Sequence, residues 1–253
     1  MIRVRLAVLM IVFVALAEAL VFVLIGRPRE TPVRHDLGRA HVWSPAEQAI
    51  VDRYFAEHAV RKIQVGAGPN DFPDWLNTDI EPRATQVFLD VTEKLPFADH
   101  SVRYIYAEQV IEHVPFEAAI AFLRECRRVL EPGGRVRLAT PNLDQLLALW
   151  APEKTPIQQK FIDFQMKHNN LSSVPRPETA LLNLMMHAWG HQFLYDPESL
   201  RRTFRAAGLE PIEVKSGESE DPALRGIEHH FDVAGGKEID DYTSQFFEGV
   251  PIP

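Results

Sequence analysis

The sequence predicts an α/β fold built on a doubly wound, mostly parallel seven-stranded sheet. Short apolar runs of strand length alternate with segments of helical periodicity from Ser44 onward. The early runs end in glycine or in a carboxylate, not in hairpin turns. The 253 residues, 46% of them hydrophobic, are enough for one large core and an appendage.

In chain order, Leu6 to Ile25 is apolar except for Glu18. Twenty residues at about 1.5 Å each span roughly 30 Å, the thickness of a bilayer core. Residues 1–26 therefore read as an N-terminal hydrophobic helix serving as a transmembrane anchor. Two other readings stand beside it. One is a cleavable signal peptide, with Arg3 and Arg5 as its basic region and Ala17-Glu18-Ala19 as its cleavage site. The other is a start codon assigned too early. Leu20 to Ile25 stays apolar beyond the cleavage site, which a signal peptide does not need. Residues 27–43, with Pro28 and Pro32 and no periodicity, read as a linker.

The folded domain, residues 44–253, begins at Ser44-Pro45-Ala46-Glu47, where serine caps, proline starts and glutamate closes a capping box. Strands are expected at 62–65, 75–80, 87–89, 102–106, 135–140 and 209–214, with a seventh at 242–250 that is unusually polar. Pro115 to Leu130 is an amphipathic helix stopped by Pro132-Gly133-Gly134, and Pro197 to Ala207 is another. Residues 150–195 form an insertion. Cys126 is the single cysteine and lies on the apolar face of the first of these helices, as a core thiol.

In such a sheet, ligands bind beyond the carboxyl ends of the strands. Those ends carry Gly66-Ala67-Gly68, Asp79, Asp90 and Glu108. Glycines let the backbone approach a ligand closely, and carboxylates accept hydrogen bonds from ribose hydroxyls and an exocyclic amine. That set describes an adenosine site without a phosphate site. A formal charge of −8 argues against nucleic acid as a partner. A dinucleotide oxidoreductase needs a third glycine, a crossover helix and an acid about 20 residues on. Here two prolines and two aspartates follow Gly68, and Asp79 comes 11 residues later.

Leu95-Pro96-Phe97-Ala98-Asp99-His100-Ser101-Val102, Ile111-Glu112-His113-Val114, the run from Leu123 to Gly134, Thr140-Pro141-Asn142 and the run from His191 to Arg202 carry a resemblance. Together they resemble the class I, type-11-like S-adenosylmethionine-dependent methyltransferases, a Rossmann-like family. The stretch Val65-Gly66-Ala67-Gly68-Pro69, followed by Trp75-Leu76-Asn77 and Asp79, is similar to a bacterial subgroup with a shortened glycine loop. The resemblance implies S-adenosyl-L-methionine as cofactor. Gly66, Ala67 and Gly68 would flank its methionine part, Asp79 its ribose, and Asp90 with Val91 its adenine. Glu108 stands where that family often has a small polar residue.

The insertion holds Phe161, Phe164, Met166, Met185, Met186, Trp189 and Phe193, an apolar surface for an acceptor. His187 and His191 stand four apart, but Gly190 between them and the lack of a suitably placed carboxylate argue against a metal pair. His113 and His191 are the candidate bases, needed when the acceptor is a neutral hydroxyl or amine. His113 has a second reading as a cap of the Pro115 helix. The sequence thus points to O-methylation of a small-molecule, glycan or lipid-linked acceptor at the cytoplasmic (inner) membrane. The enzyme would be a single-pass protein held through residues 6–25, with its catalytic domain in the cytosol. The alternative is a catalytically inactive, membrane-tethered cofactor-binding module, which would lack an acceptor pocket.

Overall fold

The computed structural model describes residues 40–171 and 173–252. The anchor expected at Leu6–Ile25 and most of the linker lie outside the described residues. Among the described residues no helix is long and apolar enough to cross a membrane.

Seven strands form one sheet: β1 (Lys62–Val65), β2 (Leu76–Asp79), β3 (Val87–Phe88), β4 (Val102–Glu108), β5 (Leu130–Pro141), β6 (Leu209–Val214) and β7 (Ser244–Pro251). Their order is β3-β2-β1-β4-β5-β7-β6. The five on the β3 side pair in parallel, and β7 runs antiparallel to both β5 and β6. The sheet reverses direction of growth between β1 and β4, which places a crevice at their carboxyl ends.

Helix α1 (Pro45–Glu57) starts with the expected capping box: the Glu47 N–H donates to Ser44 Oγ at 3.3 Å, and the Ser44 N–H donates to Glu47 Oε2 at 2.9 Å. The other carboxylate oxygen of Glu47 accepts the Phe88 N–H, so the cap also fastens α1 to β3. Helix α2 (Phe116–Val129) buries Ala118, Ala119, Phe122, Leu123, Cys126 and Val129 against the sheet. It runs straight into β5 at Leu130. Pro132-Gly133-Gly134 does not stop the helix; it lies inside β5, where the register against β4 shifts.

No helix bridges β1 and β2. The short loop is held by two buried amides. Gln64 Oε1 and Asn77 Oδ1 both accept the Phe72 N–H, and Gln64 Nε2 donates to the Asn70 carbonyl at 2.9 Å. The face that a crossover helix would cover is closed by Phe72, Trp75, Tyr104, Tyr106 and Leu224.

The polar character of β7 has a specific cause. Fully buried Glu248 takes Arg137 Nη1 at 2.7 Å and Arg135 Nη1 at 2.7 Å. Arg137, itself fully buried, also pairs with Glu228 and donates to the Lys215 and Glu218 carbonyls. A buried charge is tolerated only when paired and hydrogen-bonded, and this set pins the segment after β6 onto the sheet.

The insertion folds as α4 (Pro156–His168) and α5 (Pro177–His187), after the short α3 (Leu143–Leu147). Helix α6 (Pro197–Ala206) then leads into β6, and α7 (Lys237–Thr243) into β7, which therefore starts at Ser244 and not at Tyr242. Leu146, Leu149, Phe161, Ile162, Leu181, Met185 and Ile239 make a second core, separate from that of the sheet.

Candidate active site

Two cavities lie at the carboxyl ends of the strands. The first, about 420 Å³, is walled by Gly66, Asp79, Ile80, Leu89, Asp90, Val91, Thr92, Gln109, Val110 and His113, among others. The second, about 290 Å³, lies under the insertion and is walled by Phe161, Phe164, Met185, Trp189, His191, His230 and Ser244, again with Gln109 and His113. Gln109 and His113 therefore stand in both walls.

In the first cavity the glycine loop comes close to Val110. Gly66 has φ +68°, and a Cβ there would sit 2.5 Å from Val110 Cγ2. Gly68 has φ +53° but open space around it, and its N–H donates to Asp79 Oδ2 at 2.8 Å. Asp79 Oδ1 accepts the Glu81 N–H at 2.9 Å, so both oxygens are oriented by backbone. Asp90 Oδ1 accepts the Thr92 N–H and hydroxyl, at 2.8 and 2.7 Å. A carboxylate has about four acceptor sites, so each acid keeps acceptor capacity toward the cavity. Among the described residues no Lys or Arg lines this cavity. The donor set suits hydroxyls and an amine rather than phosphate, and the Gly66 approach leaves room that a side chain would fill. These residues fit S-adenosylmethionine.

Among the sequence-derived candidates, Gly66, Asp79, Asp90 and Val91 meet in this wall. Ala67 is buried, its N–H donating to the Thr78 carbonyl. Glu108 is placed apart from these residues. Strand alternation puts Tyr104, Tyr106 and Glu108 on one face, and the Glu108 carboxylate accepts the His229 N–H at 3.0 and 3.3 Å, away from the first cavity. Burial raises its pKa, against the opposing effect of that backbone N–H. The next residue, Gln109, reaches the cavity instead. Its φ of +55° turns the chain, and its Nε2 donates to Ser244 Oγ at 3.3 Å.

His113 and His191 come together, ring centroids 4.8 Å apart and near perpendicular. His113 does not cap α2, whose N-cap is Pro115. His191 Nδ1 lies 2.6 Å from the Met185 carbonyl. Burial lowers the pKa of both rings, which keeps them neutral. His187 is the last residue of α5 and the chain then turns through Trp189 and Gly190 at positive φ, so the pair four apart does not share a helix face.

Three groups were not singled out from the sequence. Glu112 is fully buried beside the two histidines; Thr140 Oγ1 donates to its Oε2 at 2.9 Å, and burial pushes its pKa up to about 7. His230 lines the second cavity with Nδ1 2.7 Å from Oδ1 of buried Asp240, which also accepts Ser244 Oγ–H at 2.9 Å. Burial works against a charge on His230, but the Asp240 hydrogen bond and charge, with Glu108 and Glu112, outweigh it and raise its pKa. The signal for Glu112 was its place beside His113. His230 and Asp240 sit in a segment without periodicity.

A family model described as a methyltransferase domain matches residues 70–138. No curated protein matches the chain. Among solved structures, a chain of the Haloferax volcanii complex containing the Trm112 methyltransferase activator is similar at 14% identity and TM-score 0.42, covering 82% of this chain and 94% of that one. The magnesium protoporphyrin IX methyltransferase of Synechocystis is similar at 13% identity and TM-score 0.39, over 81% and 83%. The Haemonchus contortus phosphoethanolamine N-methyltransferase 2 is similar at 13% identity and TM-score 0.40; the chain covers 52% of that protein's length, 82% of its own.

Proposed function

We propose that this S-adenosylmethionine-dependent methyltransferase transfers the methyl group to an oxygen of a partly apolar acceptor bound in the second cavity. The observation that carries this reading is the shared wall: Gln109 and His113 border both cavities, so a donor in one and an acceptor in the other meet at those two side chains. S-adenosylmethionine, when bound, supplies a methyl group on a positively charged sulfur that is already activated for displacement.

The chain's main task is then positioning. Asp79 and Asp90 hold the polar edges of the donor, and Gly66 lets the backbone approach it. Phe161, Phe164, Met185 and Trp189 receive the acceptor's apolar body. A neutral hydroxyl must lose its proton as it attacks. The His230–Asp240 dyad is built for that: Asp240 fixes Nδ1, which leaves Nε2 for the acceptor proton. His113 and His191 stand on the same wall. A catalytically inactive module would not need this second cavity with its four histidines.

Acceptors of this kind include small amphipathic alcohols and lipid-linked or glycan precursors. Residues 1–26 as an anchor, with the domain in the cytosol where the donor is made, would concentrate the enzyme near the latter.

The test has two parts. Calorimetry should show S-adenosylhomocysteine binding to the chain, weakened about 10- to 100-fold by Asp79→Ala, the scale of a hydrogen bond to a charged group. No binding at millimolar ligand with folded protein overturns the donor site. Labelled-donor assays on amphipathic alcohols, carboxylates and amines, in vesicles and in solution, should give methylated oxygen. Transfer to amines alone refutes the O-methylation reading. Equal preference for a small soluble acceptor by the full chain and by the chain lacking residues 1–43 refutes the lipid-linked one.

A further inference from the structure

We propose that Glu112, His113 and His191 form a binding site for a divalent cation of the zinc type, set in the wall of the acceptor cavity. Each residue offers one ligand atom, and the three atoms lie within 4.8 Å of one another. A tetrahedral set with bonds of about 2.0–2.1 Å has edges of roughly 3.3 Å. Closing that gap calls on rotation of the two half-buried imidazoles.

The two segments are already stitched together. The Gln192 and Phe193 N–H groups both donate to the Glu112 carbonyl, at 2.7 and 3.2 Å. Gln192 Nε2 donates to the His113 carbonyl at 2.7 Å. The triad is therefore preorganised by bonds that involve none of its ligand atoms.

Two independent observations point to a ligand. Glu112 is fully buried, yet only its Oε2 is satisfied, by Thr140; Oε1 has no hydrogen-bond partner. Buried carboxylate oxygens are nearly always paired, so an orphan beside two imidazoles calls for an explanation. The other observation concerns His191. Its Nδ1–H donates to the Met185 carbonyl, which fixes the tautomer and leaves the Nε2 lone pair free. Metal-binding histidines are held in this way, with the second nitrogen bonded to a carbonyl or carboxylate.

Two imidazoles and one carboxylate, with a position left open, make the ligand set of catalytic zinc sites. His113 and His191 line the second cavity, which has no Lys or Arg among its described lining residues. The cation would be the positive group that grips an acceptor oxygen, and this role rests on the methyl-transfer reading. The site itself does not.

The experiment adds Co²⁺ to the chelator-stripped full chain and follows visible absorption, with Zn²⁺ as competitor. One equivalent should bind and give the intense bands of four- or five-coordinate cobalt. Glu112→Gln and His191→Gln should each weaken Zn²⁺ binding at least tenfold while near-ultraviolet circular dichroism stays native. An octahedral spectrum without stoichiometric binding overturns the proposal, as does binding that both folded variants leave unchanged. Should the variants fail to fold, zinc-edge X-ray absorption on the unaltered chain decides: two imidazoles and a carboxylate support the site, and any other shell refutes it. S-adenosylhomocysteine binding, measured on the same metal-free protein, reports separately on the methyl-transfer reading.

Discussion

Glu112→Gln should stabilise the metal-free protein above neutral pH and leave it unchanged near pH 4.5. Glu112 is fully buried, and its pKa rises from 4.5 to about 7 because burial disfavours the charged form. The folded state thus holds the proton more tightly than the unfolded one. Between those two values the folded chain binds more protons, so stability falls as pH rises through that window and levels off above it. The 2.5-unit difference, at 1.36 kcal/mol per unit, amounts to about 3 kcal/mol. Glutamine mimics the protonated acid in shape and still accepts the Thr140 hydroxyl. It cannot ionise, so it escapes the loss. His230 and Glu108 act on the same carboxyl, one lowering and the other raising its pKa. Comparing variant with wild type at each pH removes their own titration to first order. Urea unfolding with a chelator present, at pH 4.5, 6 and 8, should show the variant's advantage growing from near zero to about 3 kcal/mol. An advantage equal at pH 4.5 and pH 8 would refute the desolvated carboxyl.

Gly66→Ala should cost S-adenosylhomocysteine binding at least tenfold, since its Cβ would meet Val110 Cγ2 at 2.5 Å in the donor cavity. Gly68→Ala, with open space around it, should cost only the roughly 1–2 kcal/mol of a left-handed backbone, read as a lower melting temperature with binding retained; equal effects on binding would show that the two glycines play one role. Asp240→Asn should lower the pKa of His230, moving the acid limb of kcat/KM to lower pH and reducing its plateau, whereas an unmoved limb excludes His230 as the base.

The sheet, and the meeting of Gly66, Asp79 and Asp90 in one cavity wall, were legible in the sequence because their information is local. Each strand is a short apolar run, and Gly66, Asp79 and Asp90 stand where three consecutive runs end. Glu108 also follows a run, but its side chain lies away from the first cavity. Alternation along β4 sends Ile105 and Ala107 into the main core and Tyr104 and Tyr106 to the opposite face, so parity already assigned Glu108 to that opposite face. Polarity misled in a second way at β7. Glu248 looks wrong for a central strand until Arg135 and Arg137, on the neighbouring β5, are seen to need it. That pairing is antiparallel and spans more than a hundred residues, so no window of sequence contains it. The same holds for His230 and Asp240, whose partners in the cavity come from β4, β7 and the insertion.

One short stretch joins the walls of the two cavities. Glu108 closes β4 facing the segment after β6. Gln109, at positive φ, reverses the local direction and reaches both cavities while bonded to Ser244 on β7. Val110 packs against the glycine loop, Glu112 buries under the sheet edge against Thr140, and His113 faces the shared wall. Regular strand or helix geometry would have aimed these side chains along one or two faces. The left-handed turn at Gln109 and the 3-10 turn Ile111–His113 distribute them over the two cavities and the buried polar cluster. An L-residue at positive φ costs free energy, and here that conformation lets neighbouring residues line both cavities. The sharpest coupling between cofactor binding and acceptor chemistry should therefore pass through Gln109 and His113, which alone among the residues of both walls touch the two cavities at once.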